Sequence, residues 1–318
     1  MKKVLVVLPV NEHHKEKLEQ AGAGCEFQYL PWEEVTAEEV KAADYIIGNV
    51  PAGYIEQSSR LEVLQLGSAG VDPYIISGIL APKTILLSAR GAYGKTVGEH
   101  MFAMALMMQK KLHLYRDDRS TGGWNDYGTV TSISDATVLI IGLGDIGLHF
   151  AGMAKALGAH VIGVKRRMSD CPEQVDELYL MEDLEKILPK ADIILSVLPS
   201  TSSTQNIYSN AFFKSMKKSG IFLNAGRGTA VDQDALLLAL KNKEILAAGV
   251  DVTEPEPLPG DHPLWREQNM FITPHVSGQY HLPETLDKIV EIAASNLKAY
   301  LSGKALKNTV DFNTGYCD

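Results

Sequence analysis

Residues 136–147 read ATVLIIGLGDIG. The apolar run is typical of a buried parallel strand, and it closes on three glycines, Gly142, Gly144 and Gly147. Residues 148–157 then carry an apolar pattern typical of a helix. In such a unit the first glycine allows a tight turn, the second lets the backbone approach a pyrophosphate, and the third lets helix and strand pack closely. The stretch therefore predicts a dinucleotide-binding loop at the N-terminus of a helix.

Length and composition bound the class of protein. The chain has 318 residues, of which 45% are hydrophobic and 22% charged, and its formal net charge is −9. This length accommodates two domains, and a negative charge without a long basic block argues against a nucleic-acid or membrane-surface partner. No apolar run reaches the roughly 18 residues of a membrane span, and the apolar residues after Lys3 predict a first β-strand rather than a signal peptide.

Cysteine usage gives a further expectation. The three cysteines, Cys25, Cys171 and Cys317, form no C-x-x-C pair. This odd number without a pair predicts neither a disulfide framework nor a zinc knuckle. We therefore expect a reduced, cytoplasmic protein without a metal site.

Strand-like apolar runs alternate with helix-like runs from the N-terminus onward, which predicts βαβ units and parallel sheets. The glycine motif arrives only halfway along, whereas a chain that began with its dinucleotide-binding domain would show it after the first strand. Residues 1–95 are therefore expected to form a separate α/β unit. Its glycine turn at residues 67–72 follows a predicted strand end, where backbone N–H groups can hold a carboxylate; a plain turn is the alternative.

A long apolar pattern at residues 95–115 predicts one helix that opens the second domain. Its methionine-rich face is typical of a core or of a subunit interface. Residues 116–134 contain few apolar side chains besides Trp124, and we expect an exposed arm that contacts a second subunit. Further helices are expected at residues 181–188 and 282–301. The short tail after the last helix is expected to return to the first domain.

The strand predicted at residues 160–164 is followed by Lys165, Arg166 and Arg167. An acidic residue about 20 positions beyond the glycines binds the ribose hydroxyls of NAD, and an arginine there accommodates the extra phosphate of NADP. The planar guanidinium fork suits a phosphate. We therefore predict that NADP(H) is preferred and that NAD(H) is the second choice; a solvated basic turn is the alternative.

Three polar side chains follow predicted strands of the second domain. Arg227 follows the strand at residues 220–223, Glu256 follows the next strand, and His275 follows the strand at residues 270–272. Beside a nicotinamide, an arginine can polarise the carbonyl of a 2-oxo acid, a histidine can transfer the proton that accompanies hydride, and a carboxylate can orient that histidine. Singly, each has an ordinary alternative: a surface ion pair, a solvated loop acid and a helix cap. Together they predict carbonyl reduction.

The ordered set of these motifs resembles the D-isomer-specific 2-hydroxyacid dehydrogenase family over nearly the whole chain. The motifs that carry the resemblance are residues 142–147, LNAGRG at 223–228 with Val231, Asp251-Val252 with residues 256–258, and Thr273-Pro274-His275. The resemblance implies an α/β protein with two doubly wound parallel-sheet domains. A Rossmann dinucleotide-binding domain, residues 96–282, would be inserted into a flavodoxin-like substrate domain made of residues 1–95 and 283–318.

The resemblance also implies roles for individual residues. Arg227 would bind the substrate, His275 would act as acid and base, and Glu256 would be its partner acid. The turn of Ser68, Ala69 and Gly70 would supply N–H groups to the substrate carboxylate. Asp251 would face the nicotinamide carboxamide. The residues implied to contact the cofactor are Gly142, Leu143, Gly144, Asp145, Ile146, Gly147, Lys165, Arg166, Arg167, Leu198, Pro199, Thr204, Ala225, Gly226, Asp251, Ser277 and Gly278.

The same resemblance implies a homodimer that acts on a small 2-oxo or 2-hydroxy acid, such as glyoxylate or hydroxypyruvate. Two alternatives stay open. A phosphoglycerate dehydrogenase is expected less, because such relatives carry a regulatory domain, and a dinucleotide-sensing binding protein of the corepressor type is expected less, because those carry extensions. Glu256 disfavours a formate dehydrogenase, which would have glutamine there. At residues 88–91 the chain lacks the asparagine common in relatives, and Arg90 adds a cation.

Overall fold

The structure, a computed structural model, describes residues 1–56 and 58–312; Cys317 lies outside the described residues. The chain divides into two compact units, Met1–Tyr93 with the chain from Gln279 onward, and Gly94–Gly278. The expected junctions, at residues 95/96 and 282/283, lie slightly further along the chain. None of the described helices is both long and apolar enough to cross a membrane.

The first unit is built on a parallel sheet of five strands. Its elements before the second unit are β1 (Lys3–Val6), α1 (Glu12–Ala21), β2 (Glu26–Tyr29), α2 (Ala37–Ala42), β3 (Tyr45–Ile47), α3 (Ala52–Ile55), β4 (Val63–Gln65) and β5 (Ile85–Leu87). The strand order is β2-β1-β3-β4-β5, which is the flavodoxin-like order. β3 and β4 are buried at every position, because both faces of a doubly wound sheet are covered.

The second unit is built on a parallel sheet of seven strands. Its elements are α4 (Gly94–Gln109), α5 (Leu112–Asp118), β6 (Thr137–Ile141), α6 (Asp145–Ala156), β7 (His160–Lys165), β8 (Glu177–Leu180), α7 (Leu184–Ile187), β9 (Ile193–Ser196), α8 (Asn210–Ser215), β10 (Ile221–Asn224), α9 (Gln233–Lys241), β11 (Ala247–Val250) and β12 (Met270–Ile272). The order β12-β11-β10-β9-β6-β7-β8 reverses direction between β6 and β9, where doubly wound sheets bind dinucleotides. The predicted fold class is confirmed.

The last helix, α10 (Pro283–Leu301), packs on α1 in the first unit. Beyond it, the N–H of Ser88 donates to the carbonyl of Asn308 (3.1 Å), and the N–H of Val310 donates to the carbonyl of Leu86 (2.9 Å). The tail therefore lies antiparallel along β5, and the buried Val310 side chain joins the apolar core of that unit.

The prediction of one helix over residues 95–115 is wrong, because the chain forms two helices there. The break falls at Lys110 and Lys111, and Lys111 adopts a left-handed φ of 57°. Nζ of Lys110 donates to the carbonyl of Thr131 (2.7 Å), and Nζ of Lys111 donates to the carbonyl of Tyr127. Both lysines thus bind the segment that follows α5 at the point where the helix is interrupted. These partners are far away in the sequence, so the apolar pattern of residues 95–115 gives no sign of them.

The methionine-rich face of α4 lies in the core of its own unit. Met101, Met104 and Met108 are buried. A Cβ placed on Gly249 of β11 would lie 2.8 Å from Cε of Met108, which shows how closely the helix approaches the sheet. Of the two interpretations open for this face, core and subunit interface, the core accounts for these side chains.

Two other boundaries differ from the sequence expectations. Residues 181–188 are only partly α-helical, since α7 covers Leu184–Ile187, and the strand β8 precedes them. β8 is an edge strand and is only partly buried, so it lacks the continuous apolar run by which a buried strand is recognised in a sequence. The helix α6 begins at Asp145 rather than Leu148, which places Gly147 in its first turn.

Candidate active site

The turn after β6 requires glycine at two positions. Gly142 has a φ of +103°, a conformation that side chains with a Cβ rarely adopt, and its N–H donates to the carbonyl of Val164 (3.0 Å). A Cβ on Gly147 would lie 2.3 Å from the carbonyl oxygen of Gly142, so only glycine lets the helix lie this close to the turn. A Cβ on Gly144 would meet no atom within 4 Å, so the space over the helix N-terminus stays open to a ligand.

The backbone of this turn fits the pyrophosphate of a dinucleotide. The N–H groups of Leu143 and Gly144 donate no hydrogen bond within residues 1–56 and 58–312. The N–H groups in the first turn of α6 have no carbonyl partner inside the helix, and the helix dipole adds partial positive charge there. A side chain at Gly144 would fill this cradle. Leu143 to Gly147 can therefore hold an anion through backbone groups alone.

The carboxylate of Asp145 points to a different partner. Its Oδ2 accepts a hydrogen bond from the N–H of Gly94 (2.6 Å), at the start of α4. A Cβ on Gly94 would lie 2.4 Å from Oδ1 of Asp145, so this contact also requires glycine at position 94. The side chain of Asp145 thus joins two helix N-termini, and its backbone N–H is the group that remains for a cofactor.

Exchanging Gly147 for alanine is expected to weaken both the fold and dinucleotide binding. The new Cβ must displace the turn, at a cost of about 1–3 kcal/mol in the free energy of unfolding. Gly152→Ala is a matched control in the same helix, because its Cβ would have only an ordinary contact, 3.6 Å from Cγ of Gln174. This control is expected to be neutral or to gain up to about 1 kcal/mol. Urea unfolding and NADPH titration of both variants measure the difference; equal behaviour would refute the close-approach argument.

The basic residues predicted to bind a phosphate lie beside the glycine turn. Lys165 ends β7, the neighbour of β6, and the carbonyl of the preceding Val164 accepts from the Gly142 N–H. Nζ of Lys165 donates to Oγ of Ser169 (2.8 Å), a hydrogen bond within the turn that follows β7. Arg166 and Arg167 are exposed. The structure therefore brings this basic turn next to the glycine turn.

The loop after β9 lies on the other side of the glycine turn. A Cβ on Gly226 would lie 2.4 Å from the carbonyl oxygen of Leu198, so the β9 and β10 loops touch through their backbones. The hydroxyl of Thr204 donates to the carbonyl of Pro199 (2.7 Å), and the N–H of Ala225 donates to the carbonyl of Ser196 (3.0 Å). Thr204 is buried, and its hydrogen bond to Pro199 holds the loop after β9 that is predicted to contact the cofactor.

A buried asparagine holds the loop that carries Arg227. Nδ2 of Asn224 donates to the carbonyl of Arg227 (3.0 Å), and its Oδ1 accepts from the N–H of Gly226 (3.0 Å). The half-buried Arg227 is braced further by a bond from Nη1 to the carbonyl of Gly226 (2.8 Å). Asn224 is part of the LNAGRG motif, but the motif alone predicts no role for it; the signal in the sequence is a polar residue directly at the end of a buried strand.

The loops of Arg227 and Glu256 are in direct contact. A Cβ on Gly228 would lie 2.0 Å from the carbonyl oxygen of Thr253, so the two backbones leave no room for a side chain there. The N–H of Thr253 donates to Oε1 of Glu256 (3.0 Å). Glu256 is therefore fixed next to the loop that begins with Arg227.

The structure pairs Glu256 with His275. Oε2 of Glu256 lies 2.8 Å from Nδ1 of His275, and the two side chains are 39% and 51% exposed. With Nδ1 engaged by the carboxylate, Nε2 is the ring nitrogen that can exchange a proton with a substrate. His275 also has a φ of +51°, an uncommon conformation for a residue with a Cβ.

Asp251 supports the loop that imposes this conformation. Its buried carboxylate accepts from the N–H of Val276 (3.0 Å), the hydroxyl of Thr273 (2.6 Å), and both the N–H (3.1 Å) and the hydroxyl of Ser277. Its carbonyl accepts from the N–H of His275 (2.8 Å). The family resemblance implies that Asp251 faces the nicotinamide carboxamide, and its hydrogen bonds also position the loop that carries His275. Gly278 ends the unit just beyond this loop.

The turn predicted to bind a carboxylate lies in the first unit, after β4. The N–H groups of Ser68, Ala69 and Gly70 donate no hydrogen bond within the described part of the chain. Asn49 holds the turn, because its Oδ1 accepts from the N–H of Gly67 (3.0 Å) and its Nδ2 donates to Oγ of Ser68 (3.0 Å). Consecutive free N–H groups in such a turn form an anion-binding nest. Asn49 belongs to the loop at residues 48–51, which the sequence places after a strand end where open α/β sheets bind ligands, but its side chain has no role that the sequence predicts.

Comparisons with known proteins identify the family of this chain. A family model for the D-isomer specific 2-hydroxyacid dehydrogenase, NAD binding domain, matches residues 102–277. Glyoxylate/hydroxypyruvate reductase B of Escherichia coli is 32% identical over 276 residues, which are 83% of this chain and 82% of that protein.

Solved structures are similar over almost the full length. A D-isomer specific 2-hydroxyacid dehydrogenase family protein of Aeromonas salmonicida has 29% identity and a TM-score of 0.86, with 98% of this chain and 99% of that chain covered. An NADPH-dependent glyoxylate/hydroxypyruvate reductase of Sinorhizobium meliloti, in complex with NADP and sulfate, has 25% identity and a TM-score of 0.84, with 99% and 100% covered. This chain therefore belongs to the D-isomer specific 2-hydroxyacid dehydrogenase family of NAD(P)-dependent oxidoreductases.

Proposed function

We propose that this protein reduces a small 2-oxo acid, such as glyoxylate or hydroxypyruvate, to the D-2-hydroxy acid with NADPH. The observation that carries the proposal is the 2.8 Å pair of Glu256 and His275, fixed through Thr253 to the loop of Arg227. The reductases of Escherichia coli and Sinorhizobium meliloti support the substrate class, because their names state glyoxylate and hydroxypyruvate.

The residues divide the chemistry of carbonyl reduction among them. Bound NADPH supplies the hydride to C2 of the substrate. The guanidinium of Arg227 binds and polarises the substrate carbonyl, so that negative charge can develop on its oxygen. His275 donates the proton from Nε2 to that oxygen, and Glu256 keeps the imidazole oriented through Nδ1. The N–H groups of residues 68–70 bind the substrate carboxylate.

The cofactor part of the proposal is a preference for NADPH over NADH, and it rests on Arg166 and Arg167 beside the glycine turn. Replacing both by serine is expected to raise KM for NADPH by about ten-fold or more, because hydrogen bonds to a charged phosphate are lost. KM for NADH, which lacks this phosphate, is expected to change little and is the internal control. Steady-state kinetics with both cofactors measure the change, and an equal rise in both KM values would contradict the assignment.

A direct assay tests the proposed reaction. The purified protein is mixed with NADPH and, in turn, glyoxylate, hydroxypyruvate, its 3-phosphate and longer 2-oxo acids, and the loss of nicotinamide absorbance is followed. Turnover of the small acids is the expected result. A strong preference for the 3-phosphate would favour a phosphoglycerate dehydrogenase, and NADPH binding without any turnover would favour a binding protein of the corepressor type.

The assembly and location are also part of the proposal. We infer a homodimer that uses the segment after α5, where the Trp124 side chain is fully exposed at 100%. Tryptophan is among the residues enriched at protein–protein interfaces. We also infer a cytoplasmic location, where an NADPH-dependent reductase meets its reduced cofactor. Sedimentation equilibrium measures the mass, and a monomer at micromolar concentration would contradict the dimer.

A further inference from the structure

Three tyrosines of the first unit lie around the turn that begins at Gly67. The hydroxyl of Tyr93 donates to the carbonyl of Gly67, and the hydroxyl of Tyr74 donates to the carbonyl of Val50 (2.7 Å). The hydroxyl of Tyr280 lies so close that a Cβ on Gly67 would be only 2.9 Å from it. Glycine at position 67 therefore makes room for the Tyr280 phenol against the turn.

The three hydroxyls differ in what they bond. The hydroxyls of Tyr74 and Tyr93 each donate a hydrogen bond to a backbone carbonyl. The hydroxyl of Tyr280 has no hydrogen-bond partner among residues 1–56 and 58–312, and 38% of the residue is exposed. Burial raises the pKa of Tyr280 above that of an ordinary phenol, so the hydroxyl keeps its proton at neutral pH. Tyr280 thus holds an unused donor beside the turn.

The turn next to this phenol has unused donors of its own. The N–H groups of Ser68, Ala69 and Gly70 are unbonded within the described residues. A carboxylate has two oxygens and about four acceptor positions, so it can take bonds from the turn and from a phenol together. The phenol brings no negative charge to an anion while it stays protonated. A donor phenol and a nest of N–H groups at one turn are therefore complementary to a carboxylate.

We propose that Tyr280 is a substrate-binding residue, whose hydroxyl donates a hydrogen bond to the 2-oxo acid carboxylate bound at residues 68–70. This inference rests on the proposed function and adds a residue that neither the motifs nor the family resemblance singled out. The carboxylate keeps its charge while the carbonyl is reduced, so the bond has nearly the same strength in the ground state and in the transition state. Uniform binding of this kind lowers KM and leaves kcat nearly unchanged.

The test is Tyr280→Phe, with Tyr29→Phe as a matched control. Tyr29 is in the same unit, and its hydroxyl bonds to the surface residue Glu19 (3.1 Å). Tyr280→Phe is expected to raise KM for glyoxylate and for hydroxypyruvate by about ten-fold or more, the scale of a lost hydrogen bond to a charged group. It is expected to leave kcat within about two-fold, because the bond is uniform. KM for NADPH and Tm should match wild type, as should all parameters of Tyr29→Phe.

Three outcomes would overturn the inference. They are an unchanged KM for both acids, a loss of kcat at unchanged KM, and a rise in KM for hydroxypyruvate alone, which would place the hydroxyl at the C3 substituent instead. Binding of oxamate to the NADPH-bound protein, measured by calorimetry, gives a second readout that needs no turnover. If wild type binds oxamate but reduces no 2-oxo acid, the proposed function fails, while a weaker Kd in Tyr280→Phe would still support the binding role. If wild type neither binds nor reduces, both proposals fail.

Discussion

Replacing His275 by glutamine is expected to lower kcat for 2-oxo acid reduction by about 10²–10⁴-fold, the usual contribution of a positioned general acid. Glutamine keeps a polar side chain but has no proton that it can give up to an alkoxide. Glu256 remains in place, because Thr253 binds its other oxygen (3.0 Å). Stopped-flow measurement of a single turnover isolates the chemical step, and NADPH titration is expected to give the wild-type Kd.

The second unit contains a matched control for this variant. Nε2 of His160 lies 2.6 Å from Oε1 of Glu177, so it is also an exposed histidine–glutamate pair. His160→Gln removes the same chemical group from the strand β7 and is expected to leave kcat unchanged. A His275→Gln enzyme that retained more than about a tenth of the wild-type kcat would contradict the general-acid role, since the expected loss is at least a hundred-fold.

Exchanging Arg227 for lysine is expected to lower kcat/KM by about 10²–10³-fold, comparable to the loss of one donor from an oxyanion hole. Lysine keeps the positive charge, but it has a single ammonium and cannot reproduce the planar fork. It also loses the bond from Nη1 to the carbonyl of Gly226 (2.8 Å), which orients the arginine. Kinetics with glyoxylate and NADPH measure the effect on the reaction.

Arg266→Lys serves as the control for this exchange. Arg266 is an exposed residue of the same unit, at the end of a 3₁₀ helix (Pro263–Arg266) further along the chain than Glu256. Its replacement is expected to leave both kcat/KM and Tm unchanged. Arg227→Lys is expected to keep the wild-type Tm within a few degrees, because Asn224 still braces the loop through backbone groups. If the lysine variant lost activity only in proportion to a fall in Tm, the substrate-binding role would be refuted.

Errors of prediction occurred where a local pattern was overruled by a distant contact. The helical pattern continues through Lys110 and Lys111, yet both side chains bind carbonyls of residues that follow α5. A second distant contact, which the sequence did not reveal, is made by the carboxylate of Asp251, which accepts from backbone N–H groups of the loop after β12. In both cases the partner lies 16 or more residues away along the chain. A pattern that spans one or two turns of helix cannot contain such information.

The two parallel sheets and the glycine turn follow from the sequence alone, which also predicts Arg227, Glu256 and His275 as site residues. Apolar periodicity and glycine spacing are local properties, and a strand that ends in a turn can be recognised without its neighbours. Three contacts become visible only in the folded chain: Glu256 and His275 share a hydrogen bond, Asn224 holds the Arg227 loop, and Tyr280 lies against the turn at Gly67. These contacts join segments that meet only through the order of strands in each sheet, because strand order is set by packing of the whole domain.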